Sequence, residues 1–228
     1  MKLSIKKFKP EYKTDGKLDK MAAMFSCSRN FKVKFPKTLN ELYSLVNTNC
    51  VYAPVKWSGN HRNKSNAQLD IDLLVFDVDD GKTIDEVLDE VGTQYELLVL
   101  ETASHTEEHH KFRIFIPLAN TISFKTPSEY REFYKFIDKE FNLNCDDKTM
   151  EAGRGYIGLK NKTAYISDSS TRLNISGRLL DSVMVKVRHK ILAKRWRQEK
   201  ATKLQEIFRR EHNIKVPSAI SIDRKSVV

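Results

Sequence analysis

The stretch LLVFDVDDG, residues 73 to 81, decides the predicted fold and its candidate site. Apolar residues run directly into Asp77, Asp79 and Asp80. Because alternate side chains of a strand share one face, we expect Asp77 and Asp79 to project together, with Val78 towards the core. Neighbouring carboxylates repel unless a cation lies between them, and Mg²⁺ or Mn²⁺ is a hard ion suited to oxygen ligands. The stretch predicts a strand that ends in a divalent-metal site; the simpler interpretation is a polar strand end with an acidic turn.

Helix and strand signals around this stretch indicate an α/β fold. Thr38, Thr83 and Thr126 are each followed three residues later by Glu, which is the pattern of a helix-capping box. Short runs rich in β-branched and aromatic residues are typical of strands. Their order along the chain predicts a mixed β-sheet with flanking helices, and its first part suits a right-handed crossover unit. The predicted strands are 71–76, 95–100, 112–118, 155–159 and 163–166.

The net charge of +10 is unevenly distributed. Residues 1–36 carry 10 Lys/Arg against 3 Asp/Glu, residues 181–228 carry 13 against 5, and residues 37–180 carry 17 against 22. Basic ends around an acidic centre suit a polyanionic partner together with a cation site, because phosphates attract Lys and Arg while metals attract carboxylates. A solvated basic surface is the alternative interpretation. We expect an α/β domain over 1–178 and a basic helical segment over 179–228.

The C-terminal segment from about 182 to 212 predicts a long basic helix. Its apolar residues recur every three to five positions and form one stripe, which must be buried against the domain or against a partner. The periodicity fades between 198 and 203, so we expect two shorter helices or a kink there. The stripe comprises Met184, Val187, Ile191, Leu192, Trp196, Leu204, Ile207 and Phe208, and the basic residues of the other faces include Lys194, Arg195 and Arg197.

Composition limits the class of protein. With 40% apolar residues, the 228-residue chain is long enough to bury a core. No apolar run approaches the roughly 18 residues that span a bilayer, and the N-terminal stretch is too polar for a signal-peptide core. The expected location is therefore cytoplasmic, with no membrane partner. Cys27, Cys50 and Cys145 lie far apart without a C-x-x-C pair, so we expect three reduced thiols.

A polar, His-rich turn leads into a basic strand within residues 102–118. Arg113 and Lys111 fall on one face of that strand, where a guanidinium and an ammonium could hold phosphate oxygens. His105 in the turn could share this role. The next two histidines along the chain are expected in a solvated loop.

Two further segments could contribute to a site. Asp146 and Asp147 follow the helix predicted after Thr126, and either could supply the third carboxylate that a two-metal site usually needs. Arg154, between two glycines, could approach a phosphate closely or could merely occupy a turn. Arg62 precedes the D-x-D strand and could lie beside the metal site, although a surface loop is an equally simple interpretation.

Taken together and in this order, these segments resemble the archaeo-eukaryotic primase superfamily, especially the primase-polymerase domains of plasmids, phages and other mobile elements. The resemblance covers residues 25–170 of this chain approximately. The family pattern is a loop with Arg and Asn, a strand ending in D-x-D, a turn with Thr, Ser and His, an R-F-R-like strand and a third Asp after a helix. The matching residues are His61, Arg62 and Asn66; Asp77, Val78 and Asp79; Thr102, Ala103, Ser104 and His105; Lys111, Phe112 and Arg113; and Cys145, Asp146 and Asp147.

The resemblance implies a DNA primase or DNA polymerase, a nucleotidyltransferase that works in DNA replication with Mg²⁺ or Mn²⁺. It implies that Asp77 and Asp79 bind the catalytic metals and that Asp146 or Asp147 completes the site. The residues that would hold the nucleoside triphosphate are Arg62, Ser104, His105, Lys111 and Arg113. Apart from the resemblance, the residues expected to contact a single-stranded DNA template are Arg154, which could approach a phosphate, and Lys194, Arg195 and Arg197 on the basic helix.

Two departures from the family pattern affect these implications. Family members usually place the nucleotide-binding histidine in a Ser-x-His pattern, whereas Ser104 and His105 are adjacent here. Which of His105 and Arg113 binds the triphosphate therefore stays open. The sequence also contains no helicase motif of the P-loop type, so a separate helicase is the expected partner.

Three other classes of protein are alternatives to this interpretation. A haloacid-dehalogenase-like phosphatase also has an apolar strand that leads into D-x-D, with the first Asp as nucleophile. Against it, Asp80 separates Asp79 from Gly81, the motif begins late, and no acidic G-D-x-x-x-D segment follows. A non-catalytic DNA-binding replication protein would explain the basic ends but not the acids at a strand end. A rolling-circle nuclease is disfavoured because His109 and His110 are adjacent, with no apolar residue between them.

Overall fold

Ten strands and five α-helices alternate along residues 1–79 and 81–211, the part of the chain that this computed structural model describes. The strands are β1 (Leu3–Lys7), β2 (Lys32–Lys34), β3 (Cys50–Ala53), β4 (Lys56–Trp57), β5 (Ala67–Gln68), β6 (Asp70–Asp79), β7 (Leu98–Glu101), β8 (Lys111–Ser123), β9 (Tyr156–Gly158) and β10 (Ala164–Ile166). The helices are α1 (Lys20–Ser26), α2 (Leu39–Val46), α3 (Ile84–Val87), α4 (Pro127–Glu140) and α5 (Gly177–Glu211). The chain divides into two compact units, Met1–Arg188 and His189–Val228.

The strands form two four-stranded sheets and one short hairpin. The first sheet has the order β2-β1-β3-β9, the second has the order β10-β7-β8-β6, and β4 pairs with β5. Neighbouring strands run antiparallel in all three. Because β6 and β7 are both antiparallel to β8, which lies between them, they are parallel to each other and joined through α3. The predicted α/β class is confirmed, and the predicted crossover is present with an antiparallel strand inserted at its centre.

One hydrophobic core cluster lies between the two four-stranded sheets and includes α2. Alternation along β6 sends Leu73 and Val75 into this core, together with Phe115 of β8. The first sheet and α2 supply Leu3, Ile5, Leu39, Leu42, Val46, Cys50, Tyr52 and Tyr156. The intervening residues of β6 face the other way, and Phe76 packs on Tyr134 of α4 with ring centroids 5.2 Å apart. Because β6 is covered on both faces, its position is fixed up to the point where its carboxylates begin.

The three predicted helix starts are confirmed. The hydroxyl oxygens of Thr38, Thr83 and Thr126 accept hydrogen bonds from the amide of the Glu three residues later. At Thr83 the box is reciprocal, because a Glu86 carboxylate oxygen accepts from the Thr83 amide at 2.7 Å. In α2 and α4 the glutamate accepts instead from the amide of the residue before the threonine. Each arrangement satisfies amides that the first helical turn leaves without a partner.

The long basic helix predicted near the C-terminus is present as α5, and the predicted kink is wrong. Residues 189–211 of the second unit are helical throughout, because the stretch from 198 to 203 consists mainly of Gln, Glu, Lys and Ala, which favour helix without an apolar stripe. Within the first unit, Val183, Met184 and Val187 are buried. The last residue predicted in this helix, His212, lies outside the described residues. In the described part of the chain, no helix is both long enough and apolar enough to span a membrane.

Candidate active site

Two opposite-charge pairs join β6 to β8 at the end of the second sheet. The antiparallel register places Asp77 opposite Arg113 and Asp79 opposite Lys111. Arg113 Nε donates to Asp77 Oδ1 at 3.0 Å, and Lys111 Nζ lies 3.8 Å from Asp79 Oδ1. Residues directly opposite in an antiparallel pair are near neighbours, so opposite charges there stabilise the register. The predicted shared face of Asp77 and Asp79 is confirmed, and Val78 is buried on the opposite face.

The two carboxylates differ in their access to solvent. Asp77 is buried, whereas the Asp79 side chain is 49% exposed because β6 leaves the core at its last residue. Asp77 is therefore fixed by protein groups, and Asp79 is free to exchange partners with water or a ligand. The third acid of the motif, Asp80, lies outside the described residues.

Arg113 is held by several protein groups at once. Besides Asp77, its Nη1 donates to the hydroxyl of Tyr52 and to the carbonyl oxygen of Ile157. Its guanidinium carbon lies 5.8 Å from the ring centre of Tyr52 and 5.4 Å from that of Tyr156, within the range of a cation–π contact. Burial lowers the pKa of Arg113, but Tyr52 and Asp77 outweigh it and raise the pKa overall. The guanidinium is therefore charged and is engaged in fixing the Asp77 carboxylate.

A cleft of about 610 Å³ opens in front of these carboxylates. Asp77, Asp79, Lys111 and Arg113 form one side of it. Ser104 and its neighbours Thr102 and Ala103 contribute the turn between β7 and β8. The remaining lining residues come from the segment around α1, from the loop before β6 and from β9; they are Leu18, Lys20, Met21, Met24, Phe25, Ser28, Arg62, Arg154, Gly155, Tyr156, Ile157 and Leu159.

Arg62 and Arg154 place two guanidinium groups in this cleft. Among residues 1–79 and 81–211, no carboxylate forms an ion pair with either of them. The guanidinium of Arg62 makes only long hydrogen bonds, to the carbonyl oxygens of Met24 at 3.4 Å and Gly153 at 3.5 Å, and its Nε is buried without a partner in the described part. Burial lowers the pKa of Arg62, and the charge of Arg154 lowers it further. Neighbouring cations without a carboxylate are suited to an anion with several oxygens.

The glycines on either side of Arg154 allow this close packing. A Cβ on Gly155 would lie 2.7 Å from Val51 Cγ1 and 3.3 Å from Arg62 Cδ. A Cβ on Gly153 would lie 3.0 Å from the backbone nitrogen of Lys64. The loop that carries Arg154 therefore packs against the loop that carries Arg62. The two arginines, distant in sequence, reach one cleft because of these two glycines.

His105 does not line the cleft with the carboxylates. It lines a smaller cavity of about 190 Å³, together with Asp85, His110 and Tyr165. Its Nδ1 accepts from the amide of Lys111 at 3.1 Å, and its Nε2 lies 3.7 Å from a Glu101 carboxylate oxygen. The adjacent residues Ser104 and His105 thus face different cavities. Of the two candidates for the triphosphate ligand, Arg113 lines the cleft but is bound to Asp77, and His105 lies outside it.

The structure does not bring Asp146 or Asp147 into the cleft. Asp146 caps the 3₁₀ turn Asp147–Thr149 by accepting from the amide of Lys148 at 2.9 Å, and Asp147 forms an ion pair with Lys135. In the described part of the chain, no three Asp, Glu, His or Cys side chains are arranged to hold a metal ion. The loop is nevertheless close to β6. Burial raises the pKa of the Cys145 thiol, and Asp138, Asp77 and Asp146 raise it further.

The contribution of α1 to the cleft was missed by sequence reasoning. Met21 and Phe25 of this helix are 79% and 84% exposed, and both line the cleft beside Lys20. In the sequence the segment KMAAMFS resembles an ordinary buried helix, because nothing in it shows which apolar residues remain uncovered. The predicted DNA-binding residues Lys194, Arg195 and Arg197 belong to the second unit.

No protein-family model and no curated protein sequence matches this chain. Two solved primase structures are similar to it. The first is the crystal structure of primase RepB′, with 12% identity and a TM-score of 0.42, covering 92% of this chain and 64% of that one. The second is the AEP domain of the primase-polymerase of cyanophage S-2L, with 9% identity and a TM-score of 0.40, covering 81% of this chain and 88% of that one. This chain thus spans less than two thirds of primase RepB′. At these identities neither likeness assigns a role to any residue.

Proposed function

We propose that this chain is a metal-dependent nucleotidyltransferase, a DNA primase or polymerase. It transfers a nucleotide from a nucleoside triphosphate to a 3′-hydroxyl, directed by a single-stranded DNA template. One observation carries the proposal. A single cleft has Asp77 and Asp79 on one side and, elsewhere in its lining, Arg62 and Arg154, two arginines that pair with no carboxylate in the described part of the chain. Phosphoryl transfer needs this combination, because carboxylates hold divalent cations and guanidinium groups hold phosphate oxygens.

The donor set fits Mg²⁺ or Mn²⁺. Mg²⁺ is usually held by one or two carboxylates, with the other positions taken by substrate phosphates and water, so Asp77 and Asp79 suffice on the protein side. The half-exposed Asp79 carboxylate is accessible to such an ion. When bound, the ions would neutralise triphosphate charge and lower the pKa of the 3′-hydroxyl.

The chain's own residues act by positioning and by charge. Arg62 and Arg154 hold the triphosphate, each able to present two N–H groups to phosphate oxygens. The 3′-oxygen attacks the α-phosphorus, the bond to the pyrophosphate oxygen breaks, and the hydroxyl proton passes to solvent. Arg113 keeps the Asp77 carboxylate in one orientation, so that little reorganisation is needed during the reaction. The carboxylates form no covalent bond with substrate.

The test is Asp79→Asn, since this half-exposed side chain can be changed without breaking a buried pair. Incorporation of labelled deoxynucleotides on a primed single strand, with Mg²⁺ or Mn²⁺, should fall at least a hundredfold, in line with the loss of an electrostatic catalytic group. The matched control is Asp89→Asn, an exposed carboxylate outside the cleft. Equal incorporation by both variants would refute the proposal. Phosphate release from a simple phosphomonoester, without incorporation, would instead indicate a phosphatase.

A further inference from the structure

We propose that the N-terminal segment forms a groove for the single-stranded template, which leads into the candidate active site. The groove has a volume of about 710 Å³ and is lined by Tyr12, Lys13, Asp15, Gly16, Lys17, Leu18, Lys20, Met21, Ala103, Ser104 and Leu159. Six of these residues also line the active-site cleft, so the two spaces adjoin. We call the space lined by these residues the N-terminal groove. The inference rests on the proposed function for the identification of the bound strand as a DNA template. The groove itself is lined by neither Asp77 nor Asp79.

The charge of the N-terminal groove suits a polyanion. Its lining includes the exposed residues Lys13, Lys17 and Lys20 against one carboxylate, that of Asp15. Asp15 Oδ2 lies 3.7 Å from Lys17 Nζ, and both side chains are more than half exposed, so this pair is weak and readily exchanged for a phosphate. Three lysines in the lining of one groove can bind the phosphates of a nucleic-acid strand.

Exposed apolar side chains accompany these lysines. Tyr12 is 64% exposed in the groove, and Met21 lies where the groove meets the cleft, next to Phe25 of α1. Large side chains of this kind rarely stay uncovered without a function when they form one patch. Aromatic rings interleaved with cations are the usual surface for single-stranded nucleic acid, because every base presents a flat face for stacking.

Hydrogen bonds within the chain hold the groove in shape. Tyr12 and Leu18 form a bridge between the two arms of a turn, and the amide of Lys13 donates to the carbonyl oxygen of Lys17 at 2.8 Å. Gly16 takes a φ of 75° at the tip, which a residue with a side chain rarely adopts. The Asp19 carboxylate then caps α1 by accepting from the amides of Met21 and Ala22. The uncovered side chains are thus presented by an ordered backbone.

A single strand fits these features better than a duplex or an acidic peptide. Base faces are available for stacking on Tyr12 only when the strand is unpaired. An acidic peptide would match the lysines but not the continuity of the groove with a cleft that holds Arg62 and Arg154. The residues of the N-terminal groove all belong to the first unit, whereas the predicted DNA-binding residues Lys194, Arg195 and Arg197 belong to the second.

The experiment compares two triple variants of the full chain. The groove variant is Tyr12→Ala, Lys13→Gln and Lys17→Gln, which changes residues that line the groove but not the cleft. The control variant is Phe35→Ala, Lys32→Gln and Lys34→Gln, which removes the same charge and another exposed ring, 69% exposed, outside both spaces. Binding of fluorescent oligo-dT and of a fluorescent deoxynucleoside triphosphate is measured by anisotropy at several salt concentrations.

We expect the groove variant to bind oligo-dT about tenfold or more weakly, with a flatter salt dependence, and the control variant to resemble the unchanged chain. Nucleotide binding and the urea unfolding midpoint should be the same in all three proteins. Equal oligonucleotide affinity in both variants would overturn the inference, and so would an equal loss for duplex DNA or a loss confined to the nucleotide. If Asp79→Asn left incorporation unchanged while the groove variant still lost oligo-dT, the proposed function would fail and the groove would stand.

Discussion

At the scale of single residues, the register between β6 and β8 pairs Asp77 with Arg113 and Asp79 with Lys111. The alternation of side chains along β6 places Asp77 and Asp79 on one face, and the same rule places Lys111 and Arg113 on one face of β8. That the acids lie opposite the bases depends on the register of the pairing, which sequence periodicity does not contain. The sequence signal for this pairing consists of two strands. In one, an apolar run precedes D-x-D; in the other, an apolar run follows K-x-R.

The register changes what Arg113 is expected to do. The sequence suggested a ligand for triphosphate, whereas the structure shows Arg113 bound to Asp77 and Tyr52. Arg113→Met leaves Asp77 buried without its partner, and loss of one member of such a pair costs about 3–5 kcal/mol. We expect this loss in urea unfolding, and a fall in kcat that exceeds any rise in the KM for nucleotide.

A double-mutant cycle with Asp77→Asn separates this positioning role from direct binding. Removal of both charges should recover part of the stability that either single change loses, because no charge is then left buried alone. Burial raises the pKa of Tyr52 to about 12, so its hydroxyl remains a neutral partner throughout. A large rise in KM with unchanged unfolding free energy would contradict the positioning role and return Arg113 to the triphosphate.

At the scale of elements, the sequence predicted the second sheet and its helices and missed most of the first sheet. β1 has buried Leu3 and Ile5, but the surrounding lysines hide this short alternation within a basic segment. β3 is only four residues long, although all four are buried. Such strands are recognisable only from their partners, because the apolar face of each is completed by the other sheet and by α2.

The junction of β9 with β3 offers a test of this packing. A Cβ on Gly158 would lie 2.3 Å from the carbonyl oxygen of Val46 and 2.8 Å from Cys50 Sγ. Backbone atoms at the end of α2 cannot yield as a flexible side chain can, so Gly158→Ala should lower the unfolding free energy by about 1–3 kcal/mol or more. Chemical denaturation measures the change.

The matched control for this junction is Gly92→Ala. There the nearest atoms belong to the side chains of Ser167, at 3.2 Å, and Leu88, at 3.5 Å. These side chains can shift by a few tenths of an ångström, and Ala favours helical backbone, so little stability should be lost. Equal effects of the two substitutions would show that the contact at Gly158 does not limit the approach of β9.

At the scale of the whole molecule, the sequence shows which segments of the chain are basic or acidic. It does not show where each segment lies in the fold. The basic N-terminal residues include three lysines of the groove beside the candidate active site. The basic C-terminal residues belong mainly to the second unit, where Leu192, Trp196, Leu204, Ile207 and Phe208 are all more than half exposed. Charge counts indicate either a polyanionic partner or a solvated basic surface, whereas the position of each patch depends on long-range contacts of the fold.

Two truncations within α5 distinguish the packing of its first turns from the function of the second unit. Val183, Met184 and Val187 are buried in the first unit, and Arg188 Nε donates to a Glu129 carboxylate oxygen at 3.0 Å. A cut after residue 181 would therefore remove these buried residues from the first unit, whereas a cut after Arg188 would leave them in place. We expect the chain of residues 1–188 to unfold at the same urea concentration as the full chain, and the chain of residues 1–181 to unfold at a lower one.

Removal of residues 189–228 takes away eleven Lys and Arg against four Asp and Glu. If this unit follows template phosphates, the 1–188 chain should bind single-stranded DNA more weakly and with a flatter salt dependence, because fewer counterions are released. Nucleotide incorporation at saturating DNA should persist, since the cleft residues all precede the cut. Unchanged affinity and an unchanged salt slope would exclude a template contact. The exposed apolar side chains around Trp196 would then indicate a protein partner, because a helix that serves only to hold phosphates has no need of them.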